Sequence, residues 1–193
     1  MTWSGINARH PEQWILEILP VLFGLFISLK LRHRFPFSPF LLKLLTFFAI
    51  LHLIGAHYSF SEVPFGNWLR DTFFLQRNHF DRIVHFTQGV TSVILFREIF
   101  IRTLIIPPGN ILSALAVSCA LAFSATYELL EFLAWKLILL RHTQTNILGA
   151  QGDIWDTQWD MFLALIGAIV VVLTLTRVHD NSINLLKTDR CLV

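Results

Sequence analysis

The sequence has few charged residues for its length, and this scarcity excludes several classes of protein. Only 15% of its 193 residues are charged, whereas charged residues make up about a quarter of a soluble domain. The formal net charge of +2 gives no pattern typical of binding to a polyanion. With 54% hydrophobic residues and a mean hydropathy of +0.60, a soluble domain would lack the polar surface to cover its apolar side chains. The composition therefore excludes a soluble enzyme, a disordered chain and a nucleic-acid-binding protein, and it indicates an integral membrane protein.

Cysteine is also scarce, with only two residues in the chain. Cys119 falls inside an apolar run and Cys191 lies near the C-terminal end, so their spacing predicts neither a metal knuckle nor a disulfide. The first ten residues carry little positive charge and are not followed by a small-residue cleavage site. We therefore expect the first apolar run to remain as a spanning helix rather than to be removed as a signal peptide.

Long apolar segments decide the fold class. A spanning helix needs about 20 mostly apolar residues, and five segments approach that length, which predicts an all-α, polytopic transmembrane helical bundle forming one domain over residues 1–193. The linker 58–80 is semi-apolar but is broken by charged residues and by Pro64 and Gly66. This pattern favours an interfacial or re-entrant helix over a span. The five predicted spans cover residues 14–31, 39–57, 81–101, 111–133 and 157–176.

Lys and Arg residues in the short loops predict the orientation of the spans, because such residues are enriched on the cytoplasmic side. With five spans, the loop after the first span, the loop after the third span and the C-terminal tail share one side of the membrane. That side has the larger number of Lys and Arg residues, including the compact group Lys30, Arg32 and Arg34. We therefore expect the N-terminus outside and the C-terminus in the cytoplasm.

Ionisable residues gather at the ends of the predicted spans, and such residues are costly in a membrane unless they face a bundle interior or a cavity. Asp81 and His85 open the third span four residues apart, so they share a helix face. Because successive spans alternate in direction, we expect the groups from the second to the fifth span to meet at one membrane face, the extracytoplasmic one. The other members are His57, Glu128, Glu131, Asp153, Asp156 and Asp160.

These residue types suit a metal-dependent site. Several carboxylates at one level repel one another unless a divalent cation, protonation or nearby arginines relieve the repulsion. Carboxylates with a histidine can hold a divalent ion and activate water, and His85 could be either a ligand or a general base. The candidate catalytic residues are Asp81, His85, Glu128 and Asp160. The candidate metal ligands are the same four with Asp156, and the candidate supporting residues are Glu131, Asp153, His57, Arg77 and Arg82.

Each residue also has a purely structural explanation. Asp81, Asp153 or Asp156 could cap a helix N-terminus, and His52 in the second span could hydrogen-bond between helices. Glu128 and Glu131 fit such explanations worst, because the C-terminal end of a helix disfavours anions. Three functions therefore stay open: an enzyme acting on a lipid or envelope headgroup, a structural or interaction protein whose polar cluster holds the bundle together, and a proton- or cation-linked transporter.

Three segments resemble a known family. They are RNHFDRIVHF at 77–86, YELLE at 127–131 and QGDIWDTQWDM at 151–161. Together they resemble the YjdF family of bacterial inner-membrane proteins, also called DUF2238, and the resemblance covers nearly the whole chain. It implies a multi-pass inner-membrane location with membrane lipids as partners. A looser similarity is to VanZ-like membrane proteins, whose Asp-x3-His-Phe element matches Asp81, His85 and Phe86, and it implies a polar site that faces the envelope.

Overall fold

The computed structural model describes residues 2–139 and 150–190, and every regular element in that part of the chain is helical. A short 3-10 helix at Ala150–Gly152 precedes α7. The α-helices in chain order are α1 (Thr2–Gly5), α2 (Pro11–Leu31), α3 (Pro39–Tyr58), α4 (Pro64–Thr72), α5 (Phe80–Thr103), α6 (Asn110–Leu139), α7 (Asp156–Thr174) and α8 (Thr176–Arg190).

Within the described residues, four helices are long and apolar enough to cross a membrane, and all four were predicted. They are α2, α3, α7 and the Asn110–Ala134 part of α6. Large apolar side chains on these helices are exposed, as contact with lipid requires; examples are Phe23, Phe47, Phe123 and Leu173. The predicted all-α, polytopic membrane fold is therefore confirmed.

The remaining predicted span corresponds to α5, which is not among those four. Its 24 residues give a length of about 36 Å at 1.5 Å per residue, enough for a membrane. However, α5 carries polar and charged residues such as Gln88, Arg97 and Glu98 along its length, and all three are buried. That α5 crosses the membrane stays a prediction.

Among the described residues, three α-helices lie outside the predicted spans, namely α4, α8 and the four-residue α1. We expected a C-terminal tail after residue 176, but α8 begins there after a single intervening residue, Leu175. Its side chains Ser182 and Ile183 are buried, and Ser182 Oγ accepts a hydrogen bond from the Phe40 N–H at 3.0 Å. The linker contains α4, which at nine residues is too short to span a membrane.

The chain divides into two compact units, of which the first contains the residues up to Val84 and those from Leu173 onward. In this unit α3 packs against α1, α2 and α8. The α3 helix begins after Ser38, whose side chain accepts a hydrogen bond from the Leu41 N–H at 3.3 Å, which satisfies a donor of the first turn. It ends at Ser59, which is left-handed with a φ of 57°.

The interpretation of His52 as a hydrogen-bonding residue between helices is confirmed. Its Nε2 atom lies 2.8 Å from the backbone oxygen of Glu17 in α2 and 3.8 Å from the carboxylate of the same residue. Pro20 lies three residues further along α2, and a proline inside a helix removes a backbone hydrogen bond and bends the helix. The bent part of α2 is therefore tied to the middle of α3.

The second unit contains residues His85–Val172, and in it α5 and α7 make backbone contact through glycine. A Cβ atom on Gly89 of α5 would lie only 1.8 Å from the Ala164 backbone oxygen in α7. A Cβ on Gly167 of α7 would lie 2.2 Å from the Phe86 backbone oxygen. Small residues allow two helices to approach this closely in a membrane.

Candidate functional site

One face of α6 is buried at every fourth residue and ends in an acid. The buried residues are Leu112, Ala116, Ala120, Ser124 and Glu128. The small side chains in the middle of this stripe allow neighbouring helices to approach closely. The carboxylate of Glu128 is thereby placed inside the second unit rather than towards lipid.

His85, in the first part of α5, lies against Glu128. Its Nε2 atom is 3.6 Å from Glu128 Oε1, and both side chains are buried. Its Nδ1 atom lies 3.2 Å from Gln88 Oε1, and the Tyr127 ring contacts it edge-on with ring centroids 6.0 Å apart. In the tautomer with hydrogen on Nδ1, that N–H donates to the Gln88 carbonyl oxygen, and Nε2 can act as a ligand or accept a proton.

The α7 helix supplies a second acid next to His85. Asp160 is 3% exposed, and one of its carboxylate oxygens lies within 4.8 Å of a His85 ring nitrogen. Asp156, one turn earlier on the same helix face, is also buried. The pair His85 and Asp160 lies one helical turn before the contact of Gly89 with Ala164, so the same close packing of helices positions both pairs.

The fourth predicted catalytic residue, Asp81, lies in the first turn of α5. Asp81 and His85 are one turn apart on this continuous helix, and the boundary between the compact units falls between them, after Val84. A carboxylate oxygen of Asp81 lies within 4.8 Å of a His85 ring nitrogen. We refer to His85, Glu128 and Asp160, three of the four predicted catalytic residues, as the acid–histidine cluster, since all three belong to the second unit.

The donor set of this cluster fits a divalent cation. Carboxylate oxygens together with an imidazole nitrogen are ligands for Mn²⁺, Fe²⁺ or Zn²⁺. Ligand atoms that share one ion at about 2.1 Å lie about 3 to 4 Å apart; His85 and Glu128 are 3.6 Å apart, and His85 and Asp160 lie within 4.8 Å. Gln88 acts on His85 as the usual outer partner of a ligating histidine does, by fixing the tautomer.

The structure gives other contacts to two of the predicted supporting residues, Asp153 and His57. Asp153 Oδ1 accepts a hydrogen bond from the Trp155 N–H at 3.0 Å, so its side chain stabilises the turn that leads into α7. Glu131 is half-buried on α6. His57 Nδ1 lies 3.0 Å from the Ser4 backbone oxygen, and this histidine stacks on Trp3 with ring centroids 4.8 Å apart.

The two predicted arginines surround a histidine in front of α5. Arg82 Nη1 donates to His79 Nδ1 at 3.1 Å, and Arg77 is buried. The pKa of His79 is lowered, first by burial and then by the positive charges of Arg82 and Arg77. His79 therefore stays neutral at neutral pH, which keeps its Nδ1 atom available as the acceptor for Arg82.

Sequence reasoning missed several polar residues of the second unit. Gln88 and Tyr127 both contact His85. Their positions in the sequence could have indicated this, because Gln88 lies three residues after His85 and Tyr127 directly precedes Glu128. Towards the other end of α5, Glu98 is fully buried and pairs with Arg102 at 2.6 Å. Arg97, which directly precedes Glu98, is also buried.

Comparison with known proteins yields two matches. The sequence model of the family described as "Predicted membrane protein (DUF2238)" matches residues 1–181. "Inner membrane protein YjdF" of Escherichia coli (strain K12) is 35% identical over 179 residues, which cover 93% of this chain and 85% of that protein. No solved structure matches significantly. These matches support the first resemblance found in the sequence, and they give no support to the looser similarity to VanZ-like proteins.

Proposed function

Because this chain belongs to the DUF2238 family of predicted membrane proteins, we propose that it is an inner-membrane protein whose acid–histidine cluster binds a divalent cation. We further propose that the cluster faces the extracytoplasmic side and acts on the headgroup of a membrane lipid or of another envelope component. The inner-membrane location follows the relative with 35% identity, which is named as an inner membrane protein.

One observation carries the cation site: His85 in α5 has carboxylates from two other helices of its unit beside it. Glu128 lies 3.6 Å away, and Asp160 lies within 4.8 Å. Each of these three side chains is buried, and burying ionisable groups among apolar helices is costly unless charge is compensated. A divalent cation compensates two carboxylates at once.

A bound divalent cation supplies a Lewis acid and lowers the pKa of a bound water towards about 7. The residues of the chain supply the rest. His85 is held in one orientation by Gln88 and by the Tyr127 ring. With His85 Nε2 turned towards the cation, Glu128 beside it would be the group that accepts or returns a proton during reaction at the headgroup. Both roles suit hydrolysis or transfer at a headgroup.

The first test is cation binding by the detergent-purified protein after treatment with a chelator. We expect Mn²⁺ or Zn²⁺ to bind at one ion per chain in a calorimetric titration, and Asp160→Asn to weaken binding by about 100-fold or more, since loss of an outer partner alone costs 10–100-fold. The matched control is Asp71→Asn, because Asp71 is an exposed acid that pairs with its neighbour Arg70. No binding by the wild type, or equal binding by Asp160→Asn, would refute the cation site.

The second test addresses chemistry. The purified protein is incubated with vesicles of phosphatidylethanolamine and phosphatidylglycerol, and the release of water-soluble headgroup is measured with and without chelator. We expect release that stops with chelator, returns with Mn²⁺ and is lost in Glu128→Gln. A protein that binds the cation but releases no headgroup would argue against these lipids as substrates and would leave the cation site intact.

The close contact of His85 with Glu128 also supports a second candidate function, a structural role in holding the helices together. A buried ionic pair can specify packing without chemistry. This function predicts that Glu128→Gln lowers the thermal midpoint of the protein by several degrees and that added Mn²⁺ leaves the wild-type midpoint unchanged. A cation site predicts the opposite for the second measurement, because a ligand that binds the folded state raises the midpoint.

A further inference from the structure

The α4 helix exposes two aromatic side chains and buries a glycine next to a half-buried asparagine. Phe65 and Trp68 are exposed and stack on each other with ring centroids 5.9 Å apart. Gly66, on another side of the helix, is buried, and Asn67 is half-buried. A helix on a water-facing surface has the reverse arrangement.

The segment directly after α4 continues this apolar surface. Phe73, Phe74 and Leu75 are all exposed, and Phe74 is 94% exposed. Phe74 also has a left-handed φ of 53°, a conformation that is rare for a bulky residue. The chain is thus bent so that a large aromatic side chain points away from the protein. We call Phe65, Trp68, Phe73, Phe74 and Leu75 the aromatic surface.

The inner side of α4 is fixed to the ends of α3 and α5. Val63, which precedes α4, is buried with Phe80 and Val84 from the first turns of α5, and Tyr58 at the end of α3 packs against them. Fully buried Asn78 donates to the Val63 backbone oxygen at 3.0 Å. The aromatic surface therefore cannot turn inwards.

The side chain of Asn78 links α4 directly to the start of α5. Its Nδ2 atom donates to Asn67 Oδ1 at 2.9 Å, and its Oδ1 atom accepts from the Phe80 N–H at 3.0 Å. A Cβ on Gly66 would lie 1.8 Å from the same Oδ1 atom, so only glycine lets α4 approach this close. The position of α4 is thus set relative to the turn that carries Asp81.

We propose that the aromatic surface binds the lipid bilayer at the boundary between headgroups and hydrocarbon, where α4 lies parallel to the membrane. The occupant is the bilayer because the surface is continuous with a membrane span: α3 is a candidate span that ends at Tyr58, only six residues before α4 begins. Aromatic side chains are enriched at this depth, and exposed apolar faces of short amphipathic helices bind there. The surface would then hold the first turn of α5 at headgroup level, where the proposed function needs it, and this last step rests on that proposed function.

Spin labelling of the full-length protein in phospholipid vesicles tests this proposal without reference to any metal. A single cysteine is introduced as Phe74→Cys in a Cys119→Ser, Cys191→Ser background, labelled with a nitroxide and exposed to oxygen or to a water-soluble nickel reagent. We expect the nitroxide at position 74 to collide more often with oxygen, which partitions into lipid. The matched control is Asp71→Cys at the end of α4, where we expect the nickel reagent to dominate.

Two results would overturn the proposal. A mobile label at position 74 that collides mainly with the nickel reagent would place the surface in water. An immobilised label that neither reagent reaches would show that another protein surface covers it. Because both measurements are independent of Asp160 and of added cations, failure of the cation site would leave this outcome unaffected.

Discussion

Replacing Gly89 by alanine tests whether the close approach of α5 and α7 builds the candidate site. The added Cβ would lie 1.8 Å from the Ala164 backbone oxygen and 2.6 Å from its carbonyl carbon. Because both atoms belong to the backbone of a helix, no side-chain rotation relieves the clash. The helices must separate by about 1.5 Å to restore an ordinary contact of about 3.3 Å between carbon and oxygen.

The magnitude of the effect follows from this displacement. Overpacking of this kind costs about 1–3 kcal/mol, which corresponds to a fall of about 2–12 °C in the thermal midpoint of a chain of this size. His85 and Asp160 lie one turn before the clash on the same two helices. Their separation therefore also increases, and we expect Gly89→Ala to weaken cation binding at least 10-fold.

Gly24→Ala is the matched control, because Gly24 also lies inside an apolar helix but has nothing within 4 Å of its Cβ position. There the gain in helix propensity stabilises the helix by up to about 1 kcal/mol. The assay is the thermal midpoint in detergent, measured by the loss of the monodisperse peak in size-exclusion chromatography. A Gly89→Ala midpoint equal to that of the wild type would refute the inferred backbone contact.

Two further predictions concern charges of α5 and of the residue before it. Glu98→Gln removes the charged partner of Arg102 from a fully buried position. We expect the unfolding free energy, measured by urea titration, to fall by about 3 kcal/mol, which is the low end for a broken buried pair because Arg102 is partly exposed. A loss as small as that of the surface variant Asp71→Asn would contradict this expectation. His79 has a lowered pKa through burial and the charges of Arg82 and Arg77, so as pH falls below about 6.5 the unfolded chain takes up a proton that the folded chain resists, and stability falls. We expect the thermal midpoint to drop more between pH 7 and pH 5 in the wild type than in His79→Gln. The glutamine is chosen because its amide oxygen can still accept a hydrogen bond from Arg82. Equal drops in the two proteins would show that His79 does not contribute to the pH dependence.

The sequence predicted the candidate site best where a simple spacing rule applied. Asp81 and His85 are four residues apart, and the structure places them on one face of α5. Glu128 and Glu131 were the residues that capping explained worst, and of these Glu128 is buried beside His85 whereas Glu131 is half-buried. These predictions needed only the helical period and the cost of an acid in an apolar segment.

The three acids at the start of α7 show where such reasoning stops. Asp153, Asp156 and Asp160 are the same residue type within eight positions of one another, but the structure gives them different roles. Asp153 caps the turn, whereas Asp156 and Asp160 are buried. Both roles satisfy a carboxylate locally, and the choice depends on where the helix begins. That boundary is set by the preceding 3-10 turn, in which Gln151 is left-handed with a φ of 59°, and no residue pattern predicted it.

The α8 helix was missed for a related reason. Its sequence is polar, and a polar segment after the last span resembles a tail. Its stability comes from tertiary contacts instead: His179 is fully buried and lies near the Phe40 ring, and Ser182 binds the first turn of α3. Packing of this kind outweighs local propensity, and a pattern within α8 alone does not contain it.

The α5 helix shows why hydropathy alone leaves one of the predicted spans undecided. Hydropathy measures how well a helix suits lipid, and a helix that is covered by other helices has no such requirement. Gly89 and Phe86 bring α5 into backbone contact with α7, and the polar side chains Gln88, Thr91 and Ser92 are buried along it. The same packing that hides these side chains from lipid also places His85 beside Glu128 and Asp160. The polar side chains that keep α5 outside the candidate spans and the buried polar site are therefore two consequences of one close helix contact, and the candidate site depends on the helix whose crossing of the membrane stays a prediction.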